Sequence, residues 1–402
     1  MTSMVTRPRV TSDLDPFSPE FRDDPFSGYA RLRELGPIVW LERYRIWVVA
    51  RYQQVHEVLT DWRRFSNAGG GGLKNYFEEK PWRQPSLILE VDPPDHDRTR
   101  RVLMRALSAT TLKNLRPAFE AEAALIIEEA VASDTIDAVP DLARRFPLTV
   151  FPDAVGMKRE DRTPMLTYGS MVFGGFGPVT PWYEELMTQV EAVSAWIMAR
   201  CQREALAPDG IGAAIYAQAD AGDIEHWEAT LLVRSLLSAG VDTTIDSIGL
   251  CLKCLAEHPD QWARLRDDPR LARAAFEEAT RYDSSSQSLF RTTLEAFDFA
   301  GVTLGRHEKV LVLIGSAGRD GTKWVDPDRF DIARRPAGQI GYGTGIHGCV
   351  AQMMARLEGE IFFRALADRV ESIELTDTPM LRREPGLRGL ASMPLRLIAK
   401  SH

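Results

Sequence analysis

One stretch, GYGTGIHGCV from Gly341 to Val350, restricts this chain more than any other. Its four glycines within eight residues oppose any regular element. The following AQMMARLEGEIFFRAL has apolar residues at helical spacing, so Cys349 sits at the N-terminal edge of a helix. Unsatisfied amide donors and the positive end of the helix dipole favour a thiolate there. A thiolate so placed is a nucleophile or a metal ligand. The alternative is a small apolar cysteine packed in a tight turn.

The rest of the chain narrows the choice. Its 402 residues, 44% hydrophobic, suffice for two ordinary domains or one large one. A net charge of −8 argues against general nucleic-acid affinity. Cys201, Cys251, Cys254 and Cys349 lack the spacing of a disulfide framework, and the N-terminus lacks an apolar signal core, so a reducing cytoplasm is the expected location. The longest apolar stretch, WEATLLVRSLLSAGVDTTIDSIGLCLKCLA, carries Arg234, Asp242 and Asp246 in its middle. Those charges fit a long buried helix and not a membrane span. Cys251 and Cys254 form a C-x-x-C at helical spacing without a second ligand pair, which reads as core packing and not a zinc site.

Along the chain, a loop-like, Pro-rich start leads to a short helix in YARLRELG and two strands in IVWLERYRIWVVARY joined by a polar turn. The four glycines of NAGGGGLKN predict a mobile loop. From about Asp97 to Gln218 the periodicity is mainly helical. Without repeats or a low-complexity linker, the expectation is one large, mainly α domain. Its minor sheet would be built from the N-terminal strands, FDFAGVTLGRHEKVLVLIG and the closing SMPLRLIA. The β-rich parts fall roughly at residues 30–90 and 286–402, and the helical part at 95–285.

Five motifs in order carry a resemblance. Asp92-Pro-Pro-x-His96 with Arg100, Ala239-Gly-x-Asp-Thr243 within the long apolar helix, Glu278-x-x-Arg281, Pro327-Asp-x-Phe-Asp331 and the loop ending at His347 and Cys349 are together similar to the cytochrome P450 superfamily. Any one of these motifs is weak by itself. The resemblance implies a prism of helices around haem b, with Cys349 as the axial thiolate to iron. It assigns His96, Arg100, Arg291 and His347 to the haem propionates, and Tyr342, Gly343 and Ala239 to the cofactor's surroundings. Glu278 and Arg281 become a structural pair. Asp242 and Thr243 resemble the family's acid–alcohol pair, which delivers protons to the oxygen being activated. Without the resemblance, Thr243 reads as a threonine bonded back to its own helix and Asp242 as part of a surface ion pair. The loop departs from the usual pattern at Tyr342, where phenylalanine is typical, and at Ala351, where glycine usually follows. Both departures alter packing around the sulfur and hence its redox tuning.

Arg234, Ser238 and Asp242 form one i, i+4 stripe of the long helix, and Ser235, Ala239 and Thr243 the adjacent one. Ser235 precedes Thr243 by roughly 12 Å of helix, which suits a short rod whose far end is polar or anionic. In PWRQPSLILEVDPPDH, VFGGFGP, LLVRSLLSAGVDTT and GLRGLASMPLRL the chain resembles the bacterial para-substituted benzoate monooxygenases that O-demethylate 4-methoxybenzoate. That resemblance implies a carboxylate clamp of Arg83, Ser86, Arg234, Ser235 and Ser238, with Phe173 and Phe176 as aromatic walls. The subgroup's proline after Ser284 and its aromatic residue near Leu289 are replaced in DSSSQSLF. Ser285, Ser286 and Leu289 should therefore widen the space beside the ring and admit a meta substituent or a different para group.

The expected activity is insertion of one oxygen atom from O2 into a C–H bond of a small aromatic acid. Because the chain ends soon after its final strand, electrons are expected from a ferredoxin and its NAD(P)H-dependent reductase. Arg98, Arg100, Arg101, Arg105, Arg334 and Arg335 offer a basic face for docking, and a monomer is expected. A non-catalytic haem sensor and a hydrolase pairing Cys349 with His347 are the alternatives.

Overall fold

The computed structural model describes residues 9–382 and 386–400. The first eight residues, read as loop, lie outside the described residues. Helices dominate between Asp95 and Tyr282, and the mixed β-rich parts fall on either side in sequence.

The polar turn joins strands Val39–Leu41 and Ile46–Val49 as an antiparallel pair, with Trp40 opposite Trp47. All four residues of Ile46–Val49 are buried, because this strand is covered on both faces. Its alternation sends Trp47 and Val49 to one apolar cluster, with Val310 and Val312, and Ile46 and Val48 to another, with Leu311 and Phe290. The sheet has six strands, in the order Thr11–Ser12, Val39–Leu41, Ile46–Val49, Lys309–Val312, Leu289–Thr293 and Phe65–Ser66.

Two of the strand segments expected to join this sheet do not. Phe297–Phe299 pairs only with Val302–Leu304, as a separate hairpin. The closing strand Pro394–Ala399 lies between Val370–Leu375 and Ile136–Asp137 in a three-stranded sheet. Strand periodicity marks which residues extend, but not which of several edges they meet.

The helical core is one continuous apolar cluster. Helix Gln352–Arg369, behind the cysteine loop, packs on Ala109–Val131 and Ala272–Tyr282, and the latter also packs on Asp242–Glu257. The long apolar stretch is two helices, His226–Gly240 and Asp242–Glu257, broken at Val241. Among the described residues, no helix is long and apolar enough to cross a membrane. Gly240 is required at the break, since a Cβ there would overlap the Phe151 ring. The carbonyls of Ala239 and Gly240 accept hydroxyl hydrogen bonds from Thr243 (2.8 Å) and Thr244 (3.1 Å), so side chains replace backbone donors at the opening.

The glycine run, expected to be a mobile loop, is packed into the protein. Gly69 to Gly72 are buried, and the Lys309 ammonium donates to the carbonyls of Gly69 (3.0 Å) and Gly70 (2.9 Å). A Cβ at Gly72 would strike the Phe176 backbone, so these glycines permit close packing.

Candidate active site

One cavity collects residues from four distant parts of the sequence. Arg83, Ser86, Arg234, Ser235 and Ser238 line it together with Phe173 and Phe176. Ala239, Thr243, Arg100, His347 and Cys349 line it as well.

The cysteine loop reaches this wall through a chain of turns. Gly343 (φ 69°) and Gly345 (φ 72°) adopt the left-handed region, and the Cys349 amide donates to the Tyr342 carbonyl at 2.8 Å. Helix Gln352–Arg369 begins three residues later. Burial pushes the Cys349 thiol up, against the Ala351 amide and the charges of Arg100 and Arg356, which favour the thiolate. The helix terminus alone therefore does not ionise the sulfur, whereas a coordinated metal ion does. Tyr342 lies under the Arg356 guanidinium, 4.4 Å from its ring centroid.

Three imidazole nitrogens near the sulfur lack hydrogen-bond partners. Both ring nitrogens of His347 and Nε2 of His96 are buried without a hydrogen bond, and the two rings meet edge to face at 4.4 Å. Asp92 stands 3.6 Å from His347 Nε2, too far for a hydrogen bond. Burial lowers the His347 pKa to about 4, so its ring is neutral at physiological pH. Neither Arg100 nor Arg291 has an ion-pair partner among the described residues, although the buried Arg291 donates to its neighbour's carbonyl, Phe290 O, at 2.8 Å. Unpaired guanidinium and imidazole groups around a cavity that ends at a thiol suit a guest bearing carboxylates and a metal ion, which describes haem.

The proposed acid–alcohol pair opens the second helix, Asp242–Glu257, but its two side chains point to different pockets. Thr243 faces the cavity and its hydroxyl proton goes to Ala239, leaving its oxygen lone pairs as the group presented inward. Asp242 is buried but faces away, over Gly169, into a second pocket lined by Thr163, Thr167, Ser170 and Arg382. Burial, then the nearby Asp246 carboxylate, pushes the Asp242 carboxyl up to about 8, against Arg382 and Arg144. It is therefore not in the surface ion pair that the sequence alone allowed.

At the opposite end, Arg83 makes a bidentate pair with Glu90 (2.9 and 3.1 Å), and the Ser86 amide donates to the same carboxylate at 2.7 Å. Ser86 and Ser235 join through their hydroxyls at 2.9 Å, and Arg234 donates to the Gln84 carbonyl at 2.9 Å. Phe173 and Phe176 meet edge to face at 5.6 Å. Glu90 was not singled out in the sequence, where one acidic residue after LIL carries no signal.

Leu289 does not line this cavity. It lies on its strand opposite Val312 and packs on the sheet core. Ser285 is hydrogen-bonded to Ser247 at 2.9 Å, and neither it nor Ser286 lines the cavity, so the widening expected from DSSSQSLF has no counterpart in its wall. Three arginines of the expected basic face are also committed. Arg98 pairs with Glu228, Arg105 with Asp223 and Arg334 with Glu278, whereas Arg101 and Arg335 remain exposed.

Glu358, on the cysteine helix at the cavity wall, is fully buried with neither oxygen hydrogen-bonded, and burial pushes its carboxyl well up. A neutral acid is isosteric with an amide. Glu358→Gln is accordingly expected to leave the thermal midpoint of the holoprotein within about 2 °C of wild type.

Comparison with known proteins agrees with this geometry. The cytochrome P450 family model matches residues 207–397. Cytochrome P450 CYP199A2 of Rhodopseudomonas palustris is 48% identical, over 96% of this chain and 93% of its own length. Cytochrome P450 107B1 of Saccharopolyspora erythraea is 31% identical, over 96% and 98% respectively. Among solved structures, cytochrome P450 CREJ in complex with (4-ethylphenyl) dihydrogen phosphate superposes with a TM-score of 0.85. It is 26% identical, covering 96% of this chain and 99% of that one. The motifs, the fold and these relatives agree that the chain belongs to the cytochrome P450 family and is a haem-thiolate monooxygenase.

Proposed function

We propose that this monooxygenase acts on small aromatic carboxylic acids, removing the methyl group of 4-methoxybenzoate or a close relative. The observation that carries the reading is the polarity of the cavity, which has two arginines and three serines at one end, Cys349 at the other and the Phe173 and Phe176 rings in its wall. A buried carboxylate requires cationic or hydrogen-bonding partners, and a rod held by that end presents its other end to the sulfur side.

In this reading Cys349 would hold the haem iron through its sulfur. Arg100, Arg291, His96 and His347 would satisfy the propionates, and Tyr342, Gly343 and Ala239 would contribute to the rest of the cofactor's site. When bound, the haem supplies oxygen activation promoted by its thiolate ligand. The chain's own residues do the remaining work. Arg234, Ser86, Ser235 and Ser238 hold the carboxylate, and the phenylalanine rings fix the plane of the aromatic ring and exclude water. Thr243, whose hydroxyl donates to Ala239 O, offers its lone pairs to a donor inside the cavity, and Asp242 holds a proton at neutral pH at a second pocket that can resupply it. Oxygen insertion into the methoxy C–H bond yields a hemiacetal, which collapses to the phenol and formaldehyde. Electrons come from a redox partner, in our reading a ferredoxin reduced by an NAD(P)H-dependent reductase, in a reducing cytoplasm.

Titration of the ferric holoenzyme with 4-methoxybenzoate and with uncharged 4-methoxybenzamide tests the reading. The acid alone is expected to shift the Soret band towards high spin. Arg234→Gln should weaken acid binding by about tenfold to a hundredfold while leaving the amide within about threefold. Equal responses to acid and amide in the wild-type enzyme would exclude the carboxylate clamp.

A further inference from the structure

Glu90 is the buried group whose consequence for the clamp is largest. Its carboxylate takes both terminal nitrogens of Arg83 and the Ser86 amide, so it fixes two of the five clamp residues at once. Arg234 has no carboxylate partner among the described residues and donates only to the carbonyls of Gln84 and Pro85. Four other titratable groups, Tyr76, Tyr168, Tyr183 and Cys201, face this end, and burial raises each of them, so they stay neutral at physiological pH. Lys309, which also feels the Glu90 charge, donates to Gly69, Gly70 and Thr292 outside the cavity wall, and burial lowers it to about 7, so it is mostly neutral at pH 8. At that pH the charge count at the far end of the cavity is thus two guanidinium groups and one carboxylate, a net single positive charge.

We infer that Glu90 sets the anion selectivity of the site: by neutralising Arg83 it leaves Arg234 as the one uncompensated cation, so the cavity takes monoanionic aromatic acids and rejects dianionic ones such as aryl phosphate monoesters. This inference rests on the carboxylate clamp proposed above. A dianion would bring two charges into a buried place that offers one, and the excess charge lacks both water and a partner. Without Glu90 the same end offers two cations.

The experiment measures, by calorimetry on the ferric holoenzyme, the dissociation constants of 4-methoxybenzoate, 4-methoxybenzamide and 4-methoxyphenyl phosphate. In the wild type at pH 8 the monocarboxylate should bind at least about tenfold more tightly than the phosphate. Lowering the pH to 5, below the second phosphate pKa of about 6, also charges Lys309, so the phosphate should tighten by about tenfold more than the benzoate, which reports the lysine's share. In Glu90→Gln the preference for benzoate over phosphate should fall by at least about tenfold. Glu90→Asp, which retains the charge, should keep that preference within about threefold of wild type. If Glu90 merely supports packing, Glu90→Gln weakens all three ligands in parallel and leaves the ratio unchanged, which overturns the inference. Should that variant not fold, a wild-type enzyme that binds the phosphate dianion as tightly as the monoanion overturns it equally. A wild type indifferent to acid against amide refutes the clamp itself, whereas a clamp that works with an unchanged ratio refutes only the role of Glu90.

Discussion

Arg281→Met is expected to lower the thermal midpoint of the holoprotein by about 6 °C, or to abolish its recovery in soluble form. The Glu278 and Arg281 side chains are both 0% exposed. Arg281 binds both oxygens of Glu278 at 2.8 and 2.7 Å, and donates to the carbonyls of Gly318 (2.6 Å), Pro327 (2.8 Å) and Arg329 (3.2 Å). It therefore staples the segment leading into the cysteine loop to helix Ala272–Tyr282. Glu278 also accepts from Arg334 at 3.0 Å and from the Asp331 amide at 3.1 Å. Methionine preserves much of the volume but removes the donor from the Gly318 and Pro327 carbonyls and leaves the buried carboxylate with a diminished partnership; the Arg329 carbonyl keeps Arg334. Removing one member of a buried pair costs about 3–5 kcal/mol, and orphaned carbonyls bring the total to at least about 5 kcal/mol. For a chain of this length that is about 6 °C. Arg281→Lys, which keeps the charge but loses the planar fork, should fall between the two. A midpoint for Arg281→Met within about 2 °C of wild type, measured by thermal unfolding, would refute the stapling role.

Asp242→Asn is expected to make the protein more stable and far less active. The Asp242 carboxyl, pushed up to about 8 by burial, keeps its proton in the native state across a range in which the unfolded chain has released it. The native state binds more protons than the unfolded state between about pH 4 and pH 8, so this group makes stability fall as pH rises through that window. Asparagine has no proton to lose. The gain from the substitution should be about 2–4 kcal/mol larger at pH 8 than at pH 5, as read from urea unfolding at the two values. Turnover with competent redox partners should fall by about a hundredfold, because the group that holds the transferable proton is gone. A gain equal at both pH values would mean that the carboxyl is ionised in the native state; unchanged turnover would remove Asp242 from proton delivery.

Much of the site was legible because its signals are local. The glycines before Cys349, the i, i+3 spacing of Glu278 and Arg281, and the alternating stripes of Arg234, Ser235, Ser238 and Ala239 are short-range patterns. Helical geometry converts such patterns directly into shared faces.

What the local patterns left open was direction and partnership. Asp242 and Thr243 are adjacent in sequence, yet consecutive helical positions point about 100° apart. Thr243 faces the cavity, whereas Asp242 is fitted over Gly169 on another helix. Leu289 satisfies a strand pattern, but its strand's pairing with Lys309–Val312 carries it to the sheet core. The glycine run at 69–72 looks mobile until Lys309, some 240 residues later, binds its carbonyls.

The sequence by itself determined the family, the glycine-rich cysteine loop and the Glu278–Arg281 ion pair, because each rests on chemistry within a few residues along one chain. Only the tertiary structure decided that Ser86 meets Ser235 across 149 positions, that Glu90 pairs with Arg83 and that Asp242 lines a separate pocket. Burial, charge balance and hydrogen-bond partnership belong to the space between segments, and spacing along the chain does not encode that space.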